Sequence, residues 1–292
     1  MNGIINVFKP PGWTSHDVVN RVRRVFGIRK VGHAGTLDPG ASGVLVVLVG
    51  RATRTQQYFT ALGKTYVGEL TLGLQTDSGD GFGRVITVDE APPDDPAVLE
   101  GLLPQFTGEV DQLPPMTSAV KHRGEPLYRL ARRGVTVKRK MRRVRIDSLR
   151  LLNWNDSTPP RALLEIRCSS GTYVRTLMMD LGTAAASCGY MSFLVRTAVG
   201  RFAISGAIWP GDICREALIP LSRALSFLPA LCLDSSDARR VSGGARPQNI
   251  GRVEGCDGDR VRLLGPQDTF LAVGRVSAGL VYPEKGFPPS DD

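Results

Sequence analysis

Apolar positions recur along the chain with two periods, and the breaks between them mark out its elements. Residues 3–8, GIINVF, read as a strand, and the Pro-Pro-Gly of KPPGW ends it. Thr14 or Ser15 caps a helix through about Phe26, with Val18, Val22, Val25 and Phe26 on one face. A glycine-rich loop follows and runs into Val44–Val49, an unbroken apolar stretch of the kind buried on both faces of a sheet. Residues 65–74 alternate, placing Tyr66, Leu70 and Leu72 on one side, and Val85–Val88 resumes strand character after the turn-rich TDSGDGFG. A helix is expected from Pro96 to about Leu103, and a second in YRLARR, stopped by Gly134. Residues 161–169 are a strand and 170–172 a turn. The next helix, YVRTLMMDLGTAA, turns Val174, Leu177, Met178 and Leu181 to the core, and SFLVRTAVGRF returns to strand. A Pro- and Leu-rich connection at 218–231 marks a boundary, beyond which short strands and turns predict a small β-rich module.

The charge adds a partner class. The 292 residues carry a formal net charge of +9, and of the 37 basic residues only seven are Lys. Arginine grips phosphate bidentately and stacks on bases, so this bias favours nucleic acid. Seven basic residues against one acid, Asp147, fall between Lys138 and Arg150, where Val144 and Ile146 also alternate as in a strand. That stretch reads either as a sheet edge guarded by cations or as a ribbon that follows phosphates. The five cysteines (168, 188, 214, 232 and 256) form no CxxC pair and only three histidines exist, so neither a zinc site nor a disulfide framework is expected. No apolar run is long enough to span a bilayer, and a cytoplasmic protein without membrane contact is the expectation.

The chemistry is found by elimination. GxSxG, GxxxxGK[ST], HExxH and GxGxxG are all absent. What remains is Asp38, the one carboxylate of the loop VGHAGTLDPGASG, downstream of five basic residues between Arg21 and Lys30. Asp38-Pro39-Gly40 reads as a β-turn with Asp as its capping residue. An isolated carboxylate can also act as nucleophile or base without a cofactor. Local chemistry leaves both readings open.

Six blocks, in order, then carry a resemblance: GIINVFKPPGWTSHDVV, GHAGTLDPGASGVLVVLVGRATR, GKTYVGELTLGLQTDSGD, LPPMTSAVKHRGEPLYRLARRG, CSSGTYVRTLMMDLG and LVRTAVGRF. Together the chain resembles the TruB family of pseudouridine synthases, the bacterial enzymes for tRNA uridine 55. The resemblance implies an α+β fold with a mixed, largely antiparallel central sheet flanked by helices. It divides the chain into a catalytic domain at 1–229, with a basic RNA-gripping insertion at 121–150, and a PUA-like module at 230–292. It implies Asp38 as catalytic nucleophile, Arg175 as its ion-pair partner and Tyr66 stacking on the extruded base. His33 would fill the stack left by that base. Lys64, Tyr173 and Leu194 would complete the pocket, and Arg139, Lys140, Arg142 and Arg143 would hold the RNA. The implied substrate is the T-arm stem-loop of tRNA, with no cofactor, no metal and no obligatory protein partner, the chain acting as a monomer. A guide-RNA-dependent synthase subunit and a non-catalytic tRNA folding helper are the alternatives. One departure is Val195, where the family usually has a second Arg.

Overall fold

The computed structural model describes residues 1–118, 120–122, 124–249 and 257–287, with the side chains of Lys121 and Arg132 excepted. In chain order the first elements are β1 (Gly3–Lys9), α1 (Ser15–Phe26), β2 (Val31–His33), β3 (Ser42–Val49), α2 (Gln56–Thr60), β4 (Lys64–Leu72), β5 (Leu74–Thr76) and β6 (Val85–Val88). There follow α3 (Pro96–Leu102), β7 (Gly108–Gln112), β8 (Lys121–His122), β9 (Glu125–Pro126), α4 (Leu127–Arg132), β10 (Arg142–Asn155), β11 (Arg161–Cys168), α5 (Val174–Ala184), β12 (Gly189–Val199) and β13 (Phe202–Ala203). Last come α6 (Leu221–Ala224), β14 (Ala230–Cys232), α7 (Ser235–Ser242), β15 (Arg260–Leu264), β16 (Phe270–Ser277) and β17 (Leu280–Gly286).

A nine-stranded sheet in the order β1-β3-β12-β4-β11-β10-β7 organises the chain, with β2 paired to β3 and β13 to β12. Its neighbours are antiparallel except where β12 meets β3, paired in parallel through Val195–Ser42 and Arg196–Gly43. The mixed, largely antiparallel sheet is therefore present as expected. Every residue of β3 is buried, because α1 covers one face of the β1–β3 pair and Phe59, Phe202 and Phe287 lie on the other. Thr14 begins α1 with a reciprocal capping box to Asp17, and Gly27 ends it in the left-handed region. Val18, Val22 and Phe26 are buried as the pattern requires, joined by Val19. Helix α5 packs Val174, Leu177, Met178 and Leu181 against Tyr66, Leu70 and Leu72 of β4 and Leu164 and Ile166 of β11.

One expectation changes. The basic stretch is a sheet edge only in part: β7 pairs with Arg142–Ile146 on one side of β10 and β11 with Ile146–Asn155 on the other. Residues 142–150 accordingly belong to the central sheet. The strand expected at Val85–Val88 is present as β6, on the surface with all four residues exposed and paired only to β5. The second, four-stranded sheet β14-β15-β16-β17 forms the C-terminal module, with α7 packed on it. Val273 and Phe287 of this module share the core that holds Phe59, so the two sheets are joined by apolar packing. Cys168 and Cys188 are buried free thiols and Cys214 and Cys232 exposed ones; Cys256 lies outside the described residues. Among the described residues no helix is long and apolar enough to cross a membrane.

Candidate active site

The glycine loop between β2 and β3 is held at both ends. Leu37 and Ala41 are buried, 3% and 2% exposed, in the same core as Tyr66 and Leu177. Burying Leu37 contributes about 2 kcal/mol, enough to fix the side chain next to Asp38. The Ser15 hydroxyl accepts from the Leu37 amide at 2.9 Å and donates to the Leu37 carbonyl at 3.2 Å. Lys9 is fully buried, and its ammonium donates to the carbonyls of Pro10, Trp13 and, at 3.3 Å, Pro39. The carbonyl of Asp38 accepts from the Ala41 amide at 3.1 Å, so a turn is present. The turn and the candidate carboxylate are the same feature, since the turn is what directs the Asp38 side chain out between two buried neighbours.

Arg175 supplies the partner. Tyr173 caps α5 without a side-chain bond, but its amide donates to Gln112 Oε1 at 2.9 Å and its carbonyl accepts from Gln112 Nε2 at 3.3 Å. Arg175, in the first turn of α5, is thereby placed 3.1 Å from Asp38 through Nε. Its side chain is 6% exposed while that of Asp38 is 39% exposed, so the arginine is fixed and the carboxylate can be reached. The guanidinium also donates to the Ser78 carbonyl at 3.0 Å, to the Thr117 hydroxyl and to the Thr117 carbonyl at 3.0 Å, and lies 3.5 Å from Asp80 Oδ2. One side chain therefore joins the Asp38 turn, the 77–83 loop and the segment that leads into β8.

Three charges act on Asp38, but burial acts most. Desolvation pushes its carboxyl above the usual aspartate range; Arg175 pulls it down, Asp80 pushes it further up and Lys9 pulls it down. The net direction is upward, although an arginine partner alone would have lowered it.

Beside Asp38 opens a cavity of about 270 Å³, lined by Tyr66, Lys64, Tyr173, Arg175, Leu194 and Arg196, among others. The structure thus brings Asp38 together with five of the residues picked from the sequence. Tyr66 is 7% exposed, and burial pushes its phenol above the usual value. The Lys64 ammonium donates to the carbonyls of Thr60 and Leu62 at 3.0 and 2.8 Å, and burial lowers it to about 8. His33 ends β2, half-buried, with its imidazole pushed below the usual histidine value mainly by desolvation and next by Arg196. It is not among the cavity's lining residues. Arg139 is half-buried and donates to the Pro114 carbonyl at 2.8 Å, whereas Lys140, Arg142 and Arg143 are exposed. Arg143 stands 3.6 Å from Asp111.

Arg196, Lys9 and Asp80 are residues that the sequence pattern did not single out. Arg196 is 1% exposed and donates to the carbonyls of Val44 at 2.7 Å, Gly35 at 3.0 Å and Thr36 at 3.4 Å, so it braces the glycine loop from β12. Gly43, at φ +108°, permits the close approach: a Cβ there would lie 2.2 Å from the Arg196 carbonyl oxygen. The signal for Arg196 was present in LVRTAVGRF, where it is the arginine kept beside the departure at Val195. Among the described residues no group of three or more His, Cys, Asp or Glu is arranged to hold a metal ion.

Residues 23–174 match a family model described as TruB family pseudouridylate synthase, N-terminal domain. A tRNA pseudouridine synthase B of Pelotomaculum thermopropionicum is 44% identical over 94% of this chain and 90% of its own. One from Symbiobacterium thermophilum is 44% identical over 85% and 83%. Among solved structures, a Cbf5-Nop10-Gar1 complex contains a chain with TM-score 0.73 and 28% identity, covering 99% of this chain and 86% of that one.

Proposed function

The chain belongs to the TruB family of pseudouridylate synthases and is a tRNA pseudouridine synthase, and from that premise we infer that Asp38 is its nucleophile and the T-loop uridine its target. The observation that carries this reading is the Asp38–Arg175 pair at 3.1 Å on the rim of a cavity walled by Tyr66. Pseudouridine formation breaks the bond from ribose C1′ to uracil N1 and forms one from C1′ to C5. The hydrogen at C5 leaves as a proton and N1 takes one up, so neither oxidant nor metal is required. A uridine stacked in a folded loop cannot reach a carboxylate set between two buried neighbours, so the nucleotide is extruded into the cavity. Tyr66 offers the ring on which the base stacks, and Leu194 is an apolar part of the cavity wall. Arg175 is a positioning residue: it aims the carboxylate and favours its ionised form. His33, whose burial and proximity to Arg196 favour the uncharged imidazole, suits a stacking role in the loop that the base has left.

The acid limb of activity should report Asp38. A nucleophilic carboxylate works ionised, so the rate should fall as pH drops through a value above the ordinary aspartate pKa of about 4. Asp80→Asn removes a like charge that pushes Asp38 up, and should therefore move the limb to lower pH. A pH–rate profile under single-turnover conditions reads this; a limb that stays put or moves upward would contradict the arrangement.

The exposed cations Lys140, Arg142 and Arg143 are assigned to RNA phosphates, and Arg139 to bracing the segment they stand on. Residues 119 and 123 of this stretch lie outside the described residues. Neutralising Lys140, Arg142 and Arg143 should raise the dissociation constant for T-arm RNA and lower the log–log salt slope by about 0.7–0.9 for each phosphate that is no longer neutralised. Turnover at saturating RNA should hardly change. An unaltered slope would leave these side chains with no part in binding.

We assign the chain to the cytoplasm as a monomer that needs no guide RNA. The guide-free reading is supported by its 44% identity to proteins named tRNA pseudouridine synthase B, against 28% to the Cbf5 chain. The test is carbodiimide mapping of pseudouridine in a tRNA transcript incubated with the isolated chain. A reverse-transcription stop at the T-loop uridine is expected; a stop only after a guide RNA is added would replace this reading by that of a guided subunit.

A further inference from the structure

A second cleft, apart from the Asp38 cavity, has the chemistry of a single-stranded RNA site. Its volume is about 600 Å³, and Trp13, Arg21, Arg24, Trp209 and Asp212 stand around it. Large aromatic side chains are normally buried, yet Trp13 is 36% exposed and Trp209 is 53% exposed. The Trp209 ring and the Trp13 backbone are both held in place. The Phe8 ring meets Trp209 edge-on, with centroids 4.8 Å apart and planes at 72°. The backbone beside Trp209 is tied to β1 through Phe8 N to the Ile208 carbonyl at 2.8 Å and Ile208 N to the Asn6 carbonyl at 3.0 Å. The Trp13 carbonyl accepts from Lys9 Nζ at 2.6 Å.

The cations are equally placed. Arg21 and Arg24 follow each other by three residues on α1 and so share a face. Arg21 Nε donates to the Pro210 carbonyl at 2.9 Å, which fixes the loop beyond Trp209. Arg24 is exposed and has no partner among the described residues. Asp212 is the single acid on the rim.

We propose that this cleft is an accessory RNA site, in which an unpaired base of the substrate tRNA, outside the Asp38 cavity, stacks on Trp209 and Trp13 with its phosphate on Arg24. The proposal rests on the reading of this chain as a tRNA-binding enzyme. Exposed aromatic faces beside an unpaired guanidinium, here that of Arg24, are what single-stranded nucleic acid uses, because every base has a face to stack. An apolar peptide in the same place would bury the Arg24 guanidinium, which forms no ion pair with Asp212 or any other described residue, and that is costly; a phosphate neutralises it. The cleft is also coupled to the chemistry through backbone. The Gly12 amide donates to the Pro39 carbonyl at 2.9 Å, and Lys9 Nζ serves both the Trp13 and Pro39 carbonyls. A base held on Trp13 is thereby kept in register with the Asp38 turn.

The test uses the full chain and a tRNA transcript. Trp154→Phe leaves Trp13 and Trp209 as the fluorophores, and tRNA should quench their emission saturably. Trp209→Ala should raise the dissociation constant by about tenfold, the effect of removing roughly one stacked base, and Trp209→Phe should restore most of the affinity. Arg24→Ala should weaken binding several-fold and lower the log–log salt slope by about one, the share of a single phosphate. In every variant turnover at saturating tRNA should equal wild type, which also certifies the fold. Unchanged affinity in both Trp209→Ala and Arg24→Ala would overturn the site. So would a loss of self-association with RNA affinity intact, since a second copy would then own this face. Failure of the wild-type chain to bind tRNA at all would instead overturn the reading of the whole protein.

Discussion

Replacing Asp38 by Asn will lower turnover by about 10⁴-fold or more, the scale on which enzymes lose activity with their nucleophile. Affinity for T-arm RNA will stay within a few-fold of wild type. The amide keeps the size of the carboxylate, and the turn does not depend on the side chain, because the bond that closes it runs from the Ala41 amide to the Asp38 backbone carbonyl. Leu37 and Ala41 stay buried on either side, so the mutant position remains presented to the cavity. Single-turnover kinetics beside a binding isotherm separate the two effects. Near-normal turnover in the mutant would reduce Asp38 to a turn residue.

Arg175→Ala should cost about 10²–10³-fold in turnover, in the range seen when one preorganised electrostatic group is removed from an active site. Binding should change less, because the guanidinium faces Asp38, Asp80 and Thr117 from a buried position and offers little to a phosphate. A second readout separates positioning from mere scaffolding. Arg175 is the largest influence that lowers the Asp38 pKa, so its removal should shift the acid limb upward, opposite to Asp80→Asn. Arg175→Lys should recover part of that shift, since it restores the charge without the fork that also holds Ser78 and Thr117. Collapse of RNA affinity with turnover at saturation preserved would make Arg175 a phosphate ligand instead.

Strand and helix periods were readable wherever one face is buried by neighbours. The continuous apolar run of β3 and the Val18–Val22–Phe26 stripe of α1 need only burial to be correct, and both are buried in the structure. Pairing was less readable. The alternation around Val144 and Ile146 identified a strand, but nothing local in it shows that β7 would pair with Arg142–Ile146. Residues whose role depends on distant backbone were missed for the same reason. Lys9 follows an apolar run and precedes two prolines, which reads as a solvated strand end, yet its ammonium is buried among carbonyls from two loops. Asp80 lies in SGDG and reads as a turn former, a role it does have through the Phe82 amide at 3.0 Å, while its other oxygen faces Arg175. Asp38 could be chosen over its own turn reading only because six blocks carried a family resemblance. The structure adds the reason that the two readings coexist.

The most direct measurement is tritium release from a T-arm hairpin labelled at C5 of its target uridine, incubated with the isolated wild-type chain. Exchange at C5 accompanies the transfer of the glycosidic bond, and no binding or folding activity produces it. The account predicts release of one tritium per hairpin, without guide RNA or added metal, and none from the Asp38→Asn chain. Absence of release by a wild-type chain that binds the hairpin, or equal release by Asp38→Asn, would contradict it.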